Sequence, residues 1–175
     1  MPAMTKATPI RKPEPDARFA EAQDWIEALT GQTARDWLPI AGDASFRRYF
    51  RIGLDGGSRI LMDAPPELED SAPFVDIAAR LRAAGLHAPE IFEADLERGF
   101  LLLEDLGDAL FRDLLDERTV DELFSETFDA LAVMARQVSC VGLPDFDPDT
   151  LRGELRWFTR YYLECERELS WNRRQ

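Results

Sequence analysis

Histidine and asparagine are almost missing from this chain, with His87 and Asn172 as their only representatives. Cysteine is nearly as scarce, at Cys140 and Cys165 alone, both in segments that read as helical. With no CxxC and no Cys/His cluster, neither a zinc site nor a disulfide framework is indicated, and reduced thiols in a bacterial-type cytoplasm fit the pattern. No run approaches the roughly 18 apolar residues needed to span a bilayer. Residues 1–16 (MPAMTKATPIRKPEPD) lack the apolar core of a secretory signal and read as a flexible tail, with Met4 as an alternative start. Positive charge is also short: 21 basic residues face 34 acidic ones, a net −13 over 175 residues. Such a surface repels phosphate backbones and anionic lipid, which argues against nucleic-acid or membrane partners.

What is present is periodic. Phe19, Ala22, Ile26 and Leu29 recur at steps of three and four, an amphipathic helix over 17–30 that Gly31 can end. The period then changes to two. A short strand, Asp36 to Ile40, runs into Ala41-Gly42-Asp43-Ala44-Ser45, and 46–52 (FRRYFRI) alternates. That alternation puts Arg48, Phe50 and Ile52 on one face and Arg47, Tyr49 and Arg51 on the other. Asp55-Gly56-Gly57 predicts a hairpin turn, with Ser58 to Met62 returning. Pro73 opens a helix over 73–84 whose stripe is Phe74, Ile77, Ala78 and Leu81, and strands follow near 90–94 and 100–103. The fold class expected is α+β, an antiparallel five-stranded sheet packed on one long helix. Beyond Gly107 the chain reads as helical, with stripes at Val120, Phe124, Phe128, Leu131, Met134 and Val138, then Leu151, Leu155, Phe158, Tyr162 and Cys165. The composition shift near 107 is the expected domain boundary, separating 17–107 from 108–175.

Two features point to nucleotide binding. The first is the glycine-centred turn between strands, residues 41–45, which can present backbone N–H groups to phosphate oxygens with Arg47 or Arg48 adding charge. The plainer reading is a hairpin in which Gly42 supplies a positive φ. The second is the apolar strand that ends in Glu104-Asp105-Leu106-Gly107 where sheet gives way to helix, leaving backbone groups for an adenine edge. The plainer reading is a loop with Asp108 as a helix cap.

Three strings in order, AGDASFRRYFRI (41–52), ILMDAPPELEDSAPFVDIAARLRAAGLHAPEI (60–91) and GFLLLEDLGD (99–108), resemble the aminoglycoside phosphotransferase and choline kinase superfamily. Within it they are similar to the branch of N-acetylmuramate/N-acetylglucosamine anomeric kinases, which phosphorylate the C1 hydroxyl of amino sugars in cell-wall recycling. The resemblance implies a bilobal, protein-kinase-like fold, with a five-stranded sheet and long helix followed by the first helices of an incomplete α-helical lobe. It implies ATP and Mg²⁺ as cofactors and a sugar as partner. Gly42, Asp43, Ala44, Ser45, Phe46 and Arg47 would cover the phosphates, with Arg48 as a second cation. Leu103 would stand behind the adenine, with the Glu104 and Leu106 backbones at its edge and Asp105 between them. Helix 73–84 corresponds to the long helix of a kinase N-lobe.

Two departures follow. Protein kinases hold the phosphates with a lysine on the third strand. Here that position is approximately Met62, with Asp76 on the adjacent helix, so phosphate charge must be met by Arg47, Arg48 or Arg59, the first two preferred, or by backbone groups and Mg²⁺. The family's catalytic H-x-D-x-x-x-x-N loop and its metal-binding aspartate also have no counterpart. His87 reads as a turn residue, and Asn172 has no such partners. No catalytic residue and no metal ligand is assigned, and Mg²⁺ ligands are expected in a C-terminal part that this sequence lacks. The closing SWNRRQ leaves the periodicity, as a cut or frameshifted end would. The reading is therefore an amino-sugar kinase present as an inactive N-terminal fragment. The alternatives are a non-catalytic nucleotide-binding or interaction module, or a kinase acting on an aminoglycoside or another hydroxylated metabolite.

Overall fold

In the computed structural model the described residues are 16–40 and 45–167. The tail through residue 15 with Met4, the turn residues 41–44, and the closing segment 168–175 lie outside them. The chain divides into two compact units, Met1–Val138 and Ser139–Gln175.

The first unit opens with α1 (Ala17–Thr30). Asp16, expected to be the last residue of a loose tail, instead caps this helix, its carboxylate accepting the Phe19 N–H at 2.7 Å. Gly31 ends it in the left-handed region at φ 67°, where a Cβ would be strained. Then come β1 (Arg35–Ile40), β2 (Arg48–Leu54), β3 (Gly57–Asp63), α2 (Ala72–Ala83), β4 (Ile91–Asp95) and β5 (Phe100–Glu104). The five strands form one antiparallel sheet in the order β1-β2-β3-β5-β4, as expected for this fold class.

Both faces of the sheet are covered, not one. Phe50, Ile52, Leu61, Phe100 and Leu102 point to α1, where Ala22, Trp25 and Ile26 complete a buried cluster. Their alternating neighbours Met62, Leu101 and Leu103 point the other way and pack with Tyr49, Ile60, and Phe74 and Val75 of α2. The expected long helix, α2, covers one face, and α1 covers the other, because a sheet apolar on both faces needs two partners. Gly99 sits where the chain passes closest to itself: at φ 75°, an added Cβ would stand 1.9 Å from the Ala64 carbonyl oxygen.

After Gly107 both apolar stripes fall on helix, but the chain between the helices is less continuously helical than expected. α3 (Phe111–Leu114) is one turn and α4 (Val120–Gln137) is the long element, both within the first unit. The second unit holds α5 (Pro148–Trp157), capped by the Asp147 carboxylate, and a π-helical stretch, Phe158–Glu166. Cys165 lies in that stretch. Cys140 falls in the non-helical segment after α4, because α4 stops at Gln137, and both thiols are exposed. Among the described residues no helix is long and apolar enough to cross a membrane.

Candidate functional site

Arg47, just before β2, and Arg48, its first residue, point to opposite sides of the sheet, which separates these two candidate phosphate cations. Arg48 faces α1. Its guanidinium reaches the Asp63 carboxylate (Nε to Oδ2, 2.8 Å) and also pairs with Asp16. Arg18 of α1 binds the other Asp63 oxygen at 2.9 and 2.6 Å. Asp63 is fully buried, so two guanidiniums are required to hold its charge there. Arg48 is thereby a structural ion on the face away from Leu103, and the expectation that it adds charge for phosphate loses its footing. Sequence reasoning missed this pairing, since nothing local links residues 18, 48 and 63.

Arg47 faces α2. Its guanidinium lies 5.7 Å from the Phe74 ring centroid and 3.5 Å from Glu69. Its Nε is buried and has no hydrogen-bond partner, as has the Ser71 hydroxyl at the N-terminus of α2. Glu69 also accepts the Phe46 N–H at 3.0 Å, and the Ser45 hydroxyl accepts the Arg47 N–H at 3.2 Å. A carboxylate therefore occupies one backbone N–H and one cation at the C-terminal edge of the candidate phosphate turn. Glu69 belongs to the acidic linker and carried no signal of its own in the sequence. Phe46 is 63% exposed. Gly42, Asp43 and Ala44 lie outside the described residues.

Met62 is fully buried among Leu101, Leu103 and the α2 residues, an apolar lining where a kinase places its lysine. Nothing on neighbouring elements restores the Lys–Glu pair: Asp76 is bound to Arg80 one turn on, and Arg59 stacks 4.5 Å from the Phe92 ring centroid. Leu103 pairs with Ile60 across β3–β5, so Ile60, Met62 and Leu103 share one apolar face leading to the strand exit.

At that exit the backbone is divided between committed and uncommitted groups. The Glu104 N–H donates to the Glu90 carbonyl at 2.8 Å, while the Glu104 side chain accepts the Glu90 N–H at 3.0 Å. The Gly107 N–H donates to Asp105 Oδ1 at 3.0 Å. The Leu106 N–H, between them, has no hydrogen-bond partner among the described residues, and Leu106 is half exposed. Asp105 itself is gripped by Arg51 through two bonds, Nε to Oδ2 at 2.6 Å and NH2 to Oδ1 at 2.9 Å. Arg51 also reaches Asp108 at 2.8 Å. The Arg51 hydrogen bonds hold the Asp105 carboxyl down at about 2, against desolvation that pushes it up, and Asp105 in turn raises Arg51. Asp105 thus faces the protein.

A groove of about 590 Å³ lies on the other face, between α1 and the β4–β5 turn, and it is lined by none of the candidate residues. His87 is exposed in the segment between α2 and β4, as its place before Pro89 suggests. Among the described residues no group of three or more His, Cys, Asp or Glu is placed to hold a metal ion.

Comparison with known proteins supplies the class of chemistry. The chain is 43% identical over 159 residues to the N-acetylmuramate/N-acetylglucosamine kinase of Pseudomonas aeruginosa, covering 85% of this chain and 47% of that protein. It is 38% identical over 168 residues to the enzyme of that name from Pseudomonas putida, covering 90% and 50%. A third, from Neisseria meningitidis serogroup B, is 29% identical over 165 residues, covering 90% and 49%. The chain spans about half the length of these relatives. Residues 36–175 match the phosphotransferase enzyme family, and the chain belongs to that family.

Proposed function

We propose that this chain forms the nucleotide-binding part of an ATP-dependent small-molecule kinase whose acceptor is an amino sugar, N-acetylmuramate or N-acetylglucosamine. The observation that carries the reading is the strand exit. A free Leu106 N–H stands at the end of an apolar face formed by Ile60, Met62 and Leu103. That combination suits adenine, which buries a flat apolar ring and needs an amide donor and an amide acceptor at its edge. The Glu104 carbonyl and Leu106 N–H serve as that pair, and Leu103 backs the ring. Residues 17–107 form the nucleotide lobe, and 108–175 begin the helical one.

ATP supplies the γ-phosphoryl group that moves to the sugar C1 hydroxyl. The work of this chain is binding and charge compensation. Arg47 carries the cation that Met62 cannot, and its unpaired Nε fits an anionic ligand. Glu69 gives up the Phe46 N–H and Arg47 when phosphate oxygens arrive. Mg²⁺ accompanies ATP in such transfers, and no step is assigned to it from residues of this chain. A cytoplasmic setting, where ATP is available, belongs to the same reading.

Two assays test it. The chain titrated with ATP is expected to bind, and the full-length gene product is expected to transfer phosphate from ATP to one of the two sugars. ATP binding without transfer to either sugar removes the acceptor assignment. No ATP binding by chain or full-length protein removes the nucleotide reading as well.

A further inference from the structure

We propose that Arg51 and Asp105 form a clamp that sets the backbone of the strand exit for adenine, with Asp105 acting as a positioning residue and not as a ligand. The inference rests on the nucleotide reading above and adds to it the means by which the exit keeps its shape.

The loop 104–107 leaves the sheet with the Glu104 and Gly107 N–H groups bonded and the Leu106 N–H without a partner among the described residues, and nothing in its sequence rigidifies it. Gly107 even adopts φ 81°, open to many conformations. Rigidity comes from one carboxylate. Asp105 Oδ1 takes both the Gly107 N–H (3.0 Å) and an Arg51 N–H (2.9 Å), while Oδ2 takes Arg51 Nε (2.6 Å). A guanidinium fork on a carboxylate fixes the carboxylate plane as well as its place. Arg51 is on β2, two strands away, and its side chain is 23% exposed, that of Asp105 only 7%. The fork therefore transmits the position of the sheet interior to the loop. Its remaining arm binds Asp108 at 2.8 Å and tethers the chain just past Gly107. With the Glu104 and Gly107 N–H groups and the Asp105 and Asp108 carboxylates all tethered, the Leu106 N–H is held in place and keeps no partner among the described residues. A free amide held in place loses little entropy when a ligand accepts from it, which is how such a clamp raises affinity. The alternation that puts Arg51 beside Arg47 and Tyr49 also places the clamp on the proposed nucleotide side of the sheet.

Adenine and hypoxanthine distinguish this from a stabilising ion pair. Adenine N1 accepts from an amide N–H, whereas hypoxanthine N1 carries a hydrogen and cannot. The 175-residue chain is titrated with adenosine, ADP, ATP and inosine triphosphate, alongside Asp105→Ala and Arg51→Lys. The parent chain is expected to prefer ATP over inosine triphosphate. Each variant is expected to lose about tenfold for adenosine, ADP and ATP alike, roughly one well-made hydrogen bond. Inosine triphosphate binding is expected to change little, so the selectivity ratio moves toward one. A lowered melting temperature with the ratio intact overturns the clamp, and so does unchanged affinity. A loss that grows from adenosine to ATP also overturns it, since it places Asp105 at the phosphates. Should Asp105→Ala fail to fold, Arg51→Lys, which keeps the charge and loses the fork, decides by the same outcomes. If the parent chain binds no adenine compound, the nucleotide reading itself falls, and the clamp with it.

Discussion

α1 and α4 both carry an apolar stripe at helical spacing, and only α1 buries it. Ala22, Trp25 and Ile26 are shielded against Phe50, Ile52, Leu61 and Phe100, with Trp25 and Phe100 rings 5.8 Å apart. α4 has no buried residue. Its Phe124 sits between Phe111 and Phe128, with ring centroids at 5.9 and 6.2 Å, and Phe128 remains 63% exposed. α5 and the π-helical stretch repeat the pattern within their own unit: Trp157 stacks on Tyr161 and Phe158 on Tyr162, each pair at 5.2 Å, with all four rings about half exposed. Periodicity tells which side of a helix seeks cover; whether cover exists depends on a second surface. The sheet supplies that surface to α1 and α2. Each large side chain fully buried there contributes roughly 1.5–3 kcal/mol, a term the stripes of α4 and α5 largely lack. Exposed apolar faces of this kind are where association with other surfaces begins.

The contrast can be broken or sharpened by substitution, starting with the deepest charge. Asp63→Ala leaves Arg18 and Arg48 facing a buried gap and removes the carboxylate they share between α1 and the sheet. We expect a loss of about 3–5 kcal/mol in denaturant unfolding; a loss under about 1 kcal/mol would mean that α1 is held by its apolar contacts alone.

Acid gives a second, smaller effect. Asp105 has a folded pKa of about 2 against the ordinary 3.8, so its contribution is complete above about pH 4 and is lost as pH falls through 2. Arg51, raised still further, stays charged throughout. The stability difference between the parent chain and Asp105→Asn is expected to hold constant from pH 7 to about pH 5 and to close toward pH 2. A difference that widens on acidification contradicts the assigned direction.

Glu69→Gln acts on ligand binding. Removing the carboxylate beside Arg47 and the Phe46 N–H lowers competition for an incoming phosphate. ATP affinity should rise by about two- to fivefold at low salt and by less at high salt. Weaker ATP binding would instead make Glu69 a support for Arg47. The smallest change belongs to α4: Phe128→Ser should shift unfolding by no more than about 0.5 kcal/mol while reducing self-association seen by light scattering. A cost near that of a core phenylalanine would show that α4 packs in solution.

Much of the sheet was legible because its signals are local. Asp55-Gly56-Gly57 marked the β2–β3 turn, alternation in 47–52 sorted side chains onto two faces, and Gly31 marked the end of α1. The candidate site was less so. Alternation separated Arg47 from Arg48 without revealing which face carries Leu103 and Met62. That choice depends on α1 and α2 occupying opposite faces, a tertiary fact. Asp105 read as a residue at the nucleotide edge and is instead committed to Arg51, 54 positions away in the chain. Glu69 and Asp63 were invisible for the same reason: a carboxylate announces its charge, and only folding selects its partner. The resemblance to kinases located the strand exit and named the Leu106 backbone, and the hydrogen-bond pattern leaves that N–H without a partner among the described residues.

The most direct test of the account is amide and methyl chemical-shift mapping of the labelled chain during titration with adenosine. The account predicts the largest shifts at the Leu106 and Gly107 amides and at the side chains of Ile60, Met62 and Leu103. Shifts centred on the α1 side, around Trp25 and Leu29, or none at all, would contradict it.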